Sequence, residues 1–212
     1  MKTTMLAQAA ALFAGLAAAT GLIVGAPAPQ AKSRVYTIVP TESNFTVFVG
    51  KTGLFSSLAH DHNITVKSFV GRVIVPAAGV EQSTLEMEAD AKSLALLDHE
   101  SEKDRAEITA AMHNEVLESA KHPKIAFKSA SITNVKPVGG NQTFTLNGDL
   151  TLHGVTRRIA IPVTVTVTPQ QMKASGQYTL KQSDFGIKPY SAALGSVKVK
   201  NEVVINFSIV AK

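Results

Sequence analysis

Thr143-Phe144-Thr145-Leu146-Asn147-Gly148-Asp149-Leu150-Thr151-Leu152 alternates apolar and polar side chains along its whole length. A period of two places every second side chain on one face of an extended chain, so this stretch reads as a half-buried strand. The pattern spreads outward from it. Ile159-Ala160-Ile161-Pro162-Val163-Thr164-Val165-Thr166-Val167 and Lys198-Val199-Lys200-Asn201-Glu202-Val203-Val204-Ile205-Asn206-Phe207 repeat it. Gly139-Gly140-Asn141, His153-Gly154 and Thr168-Pro169-Gln170-Gln171 supply the turns between runs. Amphipathic strands joined by short turns predict an all-β antiparallel sandwich or barrel.

Toward the N-terminus the pattern is less regular. Asn44 to Gly50 alternates through Phe45, Val47 and Val49. From Ile64 to Val75 the apolar phase changes from Ile64/Val66 to Phe69/Val73/Val75, which predicts a bulge. Ser83 to Ala95 alternates through Leu85, Met87, Ala89 and Ala91. Ser101-Glu102-Lys103-Asp104 then forms a capping box with Asp in its last position, and Ile108, Ala111, Met112 and Val116 follow at helical spacing. One amphipathic helix is predicted from about Glu102 to Leu117, stopped by Pro123.

Composition narrows the function. The chain has 212 residues, 45% of them hydrophobic and 17% charged, which fits one globular domain. Its net charge of +5 comes with no basic cluster interleaved with aromatics, so no nucleic-acid partner is expected. Cysteine is absent, which excludes disulfides, thioether lipid anchors and a thiol nucleophile. Lys2 is the only charge before Lys32, and an Ala/Gly-rich apolar stretch between them ends in Ala26-Pro27-Ala28-Pro29-Gln30-Ala31. Residues 1–31 therefore read as a signal peptide, with an uncleaved anchor in the inner membrane as the alternative. Either reading puts the domain at 32–212 outside the cytoplasm.

No catalytic set emerges. There is no Gly-x-Ser-x-Gly or phosphate-binding glycine loop, and the acidic residues of the helix are interleaved with Lys103 and Arg105 as on a solvated face. Arg157-Arg158 reads as rim charge. The densest polar cluster is His60-Asp61-His62, whose imidazoles share a face if the segment is extended. They offer hydrogen bonds to a ligand headgroup. Alternatively they form half of a metal site with His99, His113 or His153 as third ligand.

Several stretches together resemble the YceI-like, polyisoprenoid-binding family of lipocalin-like proteins. They are Tyr36-Thr37-Ile38 with Ser43, Phe69-Val70-Gly71, His122 to Ser129, Gly148 to Thr156, and Asp184-Phe185-Gly186-Ile187. The resemblance covers about residues 35–211. It implies an extended eight-stranded antiparallel barrel with one helical insertion or lid. It further implies a long-chain isoprenoid or fatty-acid-like ligand in an apolar lumen, with no cofactor and no catalysis, in the periplasm. Related chains dimerise, so a homodimer is an expectation, although no stretch marks an interface. His122 stands where the family usually has Tyr, and Trp is absent.

The expected ligand-binding residues are Phe45, Val47, Val49, Phe55, Leu58, His60, His62, Ile64, Val66, Phe127, Phe144, Leu146, Leu150, Ile161, Val163 and Phe185. A carrier of this kind would bury about ten methylenes, roughly 8 kcal/mol, before the cost of association.

Overall fold

The computed structural model describes residues 32–53, 60–98, 100–192 and 197–212. In chain order the strands are β1 (Arg34–Thr37), β2 (Asn44–Thr52), β3 (His62–Val66), β4 (Phe69–Val75), β5 (Thr84–Asp90) and β6 (Leu94–Leu96). Helix α1 (Glu102–Ala111) and a π-helical turn (Met112–Val116) follow. Then come β7 (Lys124–Val138), β8 (Asn141–Leu152), β9 (Val155–Val167), β10 (Met172–Lys181), β11 (Ser191–Ala192) and β12 (Val197–Ala211).

All the strands belong to one antiparallel sheet in the order β1-β4-β5-β7-β8-β9-β10-β12-β2-β3-β6, with β11 added against β12. The sheet curls. Ile38, just past β1, bridges Ala211 at the end of β12. Thr37 and Lys212 also exchange backbone hydrogen bonds of 2.7 and 2.9 Å, so the edge strand β1 comes round to β12.

Among the described residues, twelve strands replace the eight expected from the sequence. The reason is local: three ladder positions are each occupied by two short strands, and β11 adds a two-residue strand against β12. Along one edge of β12, β2 pairs over Lys198 to Ser208, while the end of β1 meets Ala211 and Lys212. Next, β3 pairs with β2 and β4 with β1. Then β6 pairs with β3 and β5 with β4. The interruptions fall at a 3-10 turn (Pro40–Glu42), at Lys67–Ser68, and at a 3-10 turn (Ala91–Ser93). The predicted bulge between Val66 and Phe69 is thus a break between two strands.

The helix starts where its cap predicts. Ser101 Oγ accepts the Asp104 N–H at 3.1 Å and donates to the Asp104 carboxylate at 2.7 Å. It does not run regularly to Leu117, because the π turn interrupts it after Ala111. No residue of α1 is buried. The reason is that its apolar side faces a hollow instead of a packed layer.

Buried apolar residues form two clusters. One includes Tyr36, Ile38, Phe69, Val73 and Met172. The other includes Phe127, Leu150, Leu180, Phe185 and Val203. Within the wall, close packing sets one residue type. Gly148 occupies an inward position of β8, where a Cβ would lie 2.3 Å from Cζ of Phe127 and 2.6 Å from the Lys128 carbonyl. The missing side chain is the space the neighbouring ring fills. Among the described residues no helix is long and apolar enough to cross a membrane.

Candidate functional site: an apolar lumen with a polar mouth

The inner face of the curled sheet encloses a cavity of about 720 Å³. That is within the roughly 300–1,000 Å³ typical of small-molecule sites. It is far larger than the voids of a close-packed interior, few of which exceed one water molecule. Members of both core clusters line it.

Strand alternation accounts for the lining. On β2 the inward positions are Phe45, Val47, Val49 and Lys51; on β3 and the residues before it they are His60, His62, Ile64 and Val66. Phe127 projects from β7, Phe144, Leu146 and Leu150 from β8, and Ile161 and Val163 from β9. Phe45 also stacks on Phe207 of β12, with centroids 6.1 Å apart. Two expected residues, Phe55 and Leu58, lie outside the described residues. Phe185 is a correction. It is 2% exposed in the buried cluster that includes Leu180 and Ile187, and unlike those two it does not line the cavity. A 3-10 turn (Gln182–Phe185) places it directly after β10, where it is buried.

The walls also include residues that the sequence reading did not single out: Ile159 and Val165 on β9, Leu180 on β10, and Val203, Ile205 and Phe207 on β12. The period-2 phase that gave Ile161 and Val163 predicts them equally. Helix α1 and the π turn contribute Asp104, Glu107, Ile108 and Met112 as the wall over one end.

Polarity is segregated along the cavity. Lys51, His60, His62, Glu100, Asp104, Glu107, Tyr190 and Lys198 line it, and all come from strand ends, loops or the helix at one end of the sheet. At the other end the lining is Ile38, Val80, Val167, Met172 and Ile209, with the uncharged Ser83 and Thr84 beside them. Tyr36 is 2% exposed there and donates its hydroxyl to the Thr168 carbonyl at 2.7 Å, tying β1 to the β9–β10 turn. Tyr178 faces the lumen from β10, and burial, with the Asp184 charge as second cause, pushes its phenol up. It stays a neutral hydroxyl. The cavity is therefore amphipathic, apolar through its depth and charged at its mouth.

His62 is the most firmly held polar group of the mouth. Its Nδ1 donates to Asp98 Oδ2 at 3.0 Å, which leaves Nε2 for the cavity. Asp98 also receives the Asn63 backbone N–H at 3.1–3.2 Å and the Asn63 side-chain amide at 3.3 Å. Arg105 secures the same loop by donating to the Leu96 carbonyl at 2.9 Å and to the Asp98 carbonyl. Glu100 completes a group of three donors around His62. Asp98 lies 36 residues from His62 and carries no motif, so no sequence signal joins them.

The third metal ligands considered for His60 and His62 go elsewhere. His113 is occupied by Ser119 Oγ at 2.9 Å and the Leu94 carbonyl at 3.1 Å. His153 sits with Glu118 and His122 in a separate cluster. His99 lies outside the described residues. Arg158 forms a two-pronged pair with Asp149 at 2.6 and 2.9 Å across the β8–β9 ladder, and Arg157 donates to the Asp184 carbonyl at 2.9 Å. Neither lines the lumen.

A curled antiparallel sheet around an apolar lumen, walled at its polar mouth by one helix, defines a lipocalin-like class of domain. A profile of the YceI-like domain matches residues 36–211, and the chain belongs to that family. Among curated relatives, a UPF0312 protein of Pseudomonas savastanoi pv. phaseolicola is 32% identical over 130 residues. The match covers 58% of this chain and 62% of the relative, less than two thirds of its length. Two solved structures share the fold. Burkholderia cenocepacia BcnA aligns with a TM-score of 0.64 at 23% identity, covering 82% of this chain and 99% of BcnA. A polyisoprenoid binding domain from Saccharophagus degradans, implicated in plant cell wall breakdown, aligns with a TM-score of 0.61 at 14% identity, covering 84% and 97%.

Proposed function

We propose that the protein is a non-catalytic carrier that holds a long-chain isoprenoid or related amphiphilic lipid in the lumen, tail inward and headgroup at the His62 end. The observation that carries this reading is the cavity itself: about 720 Å³ of mostly apolar space with charged groups at one end only. An interior that large is out of keeping with a packed core. An amphiphile satisfies both of its ends. Burying ten methylenes contributes roughly 8 kcal/mol, and longer tails contribute more. After several kcal/mol of association cost, micromolar or better affinity follows for long tails.

Two further facts support the class of ligand. The chain belongs to the YceI-like family, and a neighbour of the same fold is described as a polyisoprenoid binding domain. The signal-peptide layout of residues 1–31 supports a periplasmic site of action. Among the described residues no hydrogen bond joins a hydroxyl of the lining to a histidine or carboxylate, which supports binding over turnover.

The test is native mass spectrometry of protein isolated from its own host without detergent, followed by titration with polyprenyl phosphates. A co-purifying apolar mass is expected in wild type. It is expected to vanish in Ala174→Trp, which fills an inward position of β10, while Thr164→Trp on the other face of β9 keeps it. Protein that is repeatedly empty and ignores added polyprenyl phosphates overturns the reading.

A further inference from the structure

A second cluster of ligating side chains lies outside the lumen. Glu118, His122 and His153 each present a donor atom, all within 4.8 Å of one another and all half-buried. None of the three lines the cavity. Glu118 follows the π turn, His122 immediately precedes Pro123 and β7, and His153 opens the two-residue β8–β9 turn. The polypeptide thus brings two connections together, the one between the π turn and β7 and the β8–β9 turn, at the same end of the sheet as the mouth.

The backbone favours this convergence. Glu118 and His122 flank one tight turn, in which the His122 N–H donates to the Glu118 carbonyl at 3.0 Å. Glu118 has φ +43, a left-handed conformation that a glutamate adopts only when its surroundings impose it. His153 and Gly154 have φ +53 and +74, a pairing of positive φ values that tight hairpin turns require. Gly154 also clears space for the ligand ring: a Cβ there would lie 2.9 Å from His122 Nδ1. The two imidazoles sit 4.3 Å apart between centroids, tilted by 53°, and His153 Nε2 lies 3.2 Å from Glu118 Oε2.

We propose that Glu118, His122 and His153 form a binding site for a divalent transition-metal ion of the zinc type. Two imidazoles and one carboxylate are a known ligand set for Zn²⁺, with bonds of about 2.0–2.2 Å and a fourth position left to water or another ligand. Donors around such an ion lie about 3–4 Å apart. The His153–Glu118 spacing of 3.2 Å already meets this, and a ring nitrogen of His122 lies within 4.8 Å of both. Lys121 now pairs with the other oxygen of Glu118, but it is 71% exposed and free to swing into solvent.

The competing cluster of His62, Asp98 and Glu100 is less suited. The Asp98 carboxylate there is spent on Asn63 and His62 as part of the fold. The partners of Glu118 are two side chains that can rearrange.

The test uses the untagged full chain, stripped with EDTA and titrated with Zn²⁺ against a chromogenic chelator, with Co²⁺ absorption reporting the coordination. A single Zn²⁺ per chain is expected. His122→Phe, which keeps a ring against His153, and the isosteric Glu118→Gln should each lose at least the ~10–100-fold that even outer-shell partners are worth. Circular dichroism checks that both fold. His62→Gln should bind as wild type does. Failure to bind Zn²⁺, equal binding by wild type and His122→Phe, or loss on His62→Gln alone overturns the proposal.

Discussion

The two halves of the sheet are built differently. From β7 onward the long strands run unbroken, 15, 12, 13, 10 and 15 residues for β7, β8, β9, β10 and β12. From β1 to β6 no strand exceeds 9 residues, and each ladder position is split in two. The continuous half is wall: most of its inward positions are apolar. The split half carries most of the chemistry of the mouth, since Lys51, His60, His62 and Glu100 come from it and the helix that follows adds Asp104 and Glu107, while the continuous half adds Tyr190 and Lys198. A break in a strand frees the next segment to turn, so polar groups can be aimed without disturbing the wall.

The largest expected effect tests how tightly the continuous half is packed where it is solid. Phe185→Ala removes a ring that is 2% exposed and should cost about 3–5 kcal/mol in urea unfolding. A loss below 1 kcal/mol would place this ring in the same loose setting as the lumen wall. Next comes Gly148→Ala. Its methyl meets Phe127 and the Lys128 carbonyl, so overpacking should cost about 1–3 kcal/mol. Pairing it with Phe127→Leu, which vacates the ring's place, should recover much of that loss. If it does not, the backbone contact dominates.

The split half is expected to depend on side-chain stitches instead. At the first break Ser43 Oγ donates to the Val39 carbonyl at 2.7 Å and receives the Val210 N–H at 3.0 Å, joining both short strands to β12. At the other two breaks Ser93 Oγ receives the Ser68 N–H at 3.0 Å and donates to the Asp90 carbonyl at 2.7 Å. Ser43→Ala should cost about 1 kcal/mol, with amide exchange quickened at Val210 before it changes elsewhere. Uniform exchange across the sheet would show that the break is not held locally.

The same contrast explains what could be read in advance. In the continuous half, Phe144, Leu146 and Leu150 keep one phase through β8, and Ile161 and Val163 keep one through β9, so alternation sufficed. At Lys67–Ser68 the phase itself slipped, and the slip marked the break. At Ala91–Ser93 it did not, because Ala89 and Ala91 continue the apolar rhythm across a 3-10 turn. Phe185 was misplaced because a lone aromatic in a loop has no periodicity, and core and lumen both accept it. The pairing of His62 with Asp98 and the meeting of Glu118, His122 and His153 depend on tertiary closure, which no local pattern encodes. The Ser101 cap was legible because capping is local.

The smallest effect lies on the seam between the halves. Glu86 of β5 stands opposite Arg72 of β4 and Lys128 of β7, with ion-pair distances of 3.0 and 3.3 Å. The hydrogen bond from Arg72, then that from Lys128, holds its carboxyl below the ordinary glutamate range. A lowered native pKa gives stability that is complete above the unfolded carboxylate range and is lost as pH falls through the native value. Glu86→Gln should therefore unfold at slightly lower urea than wild type at neutral pH, and the two curves should converge on acidification. Added salt should narrow the gap at neutral pH, since all three groups face solvent. A gap constant from acid to neutral pH would mean that Glu86 joins the split half to the continuous one by packing and not by charge.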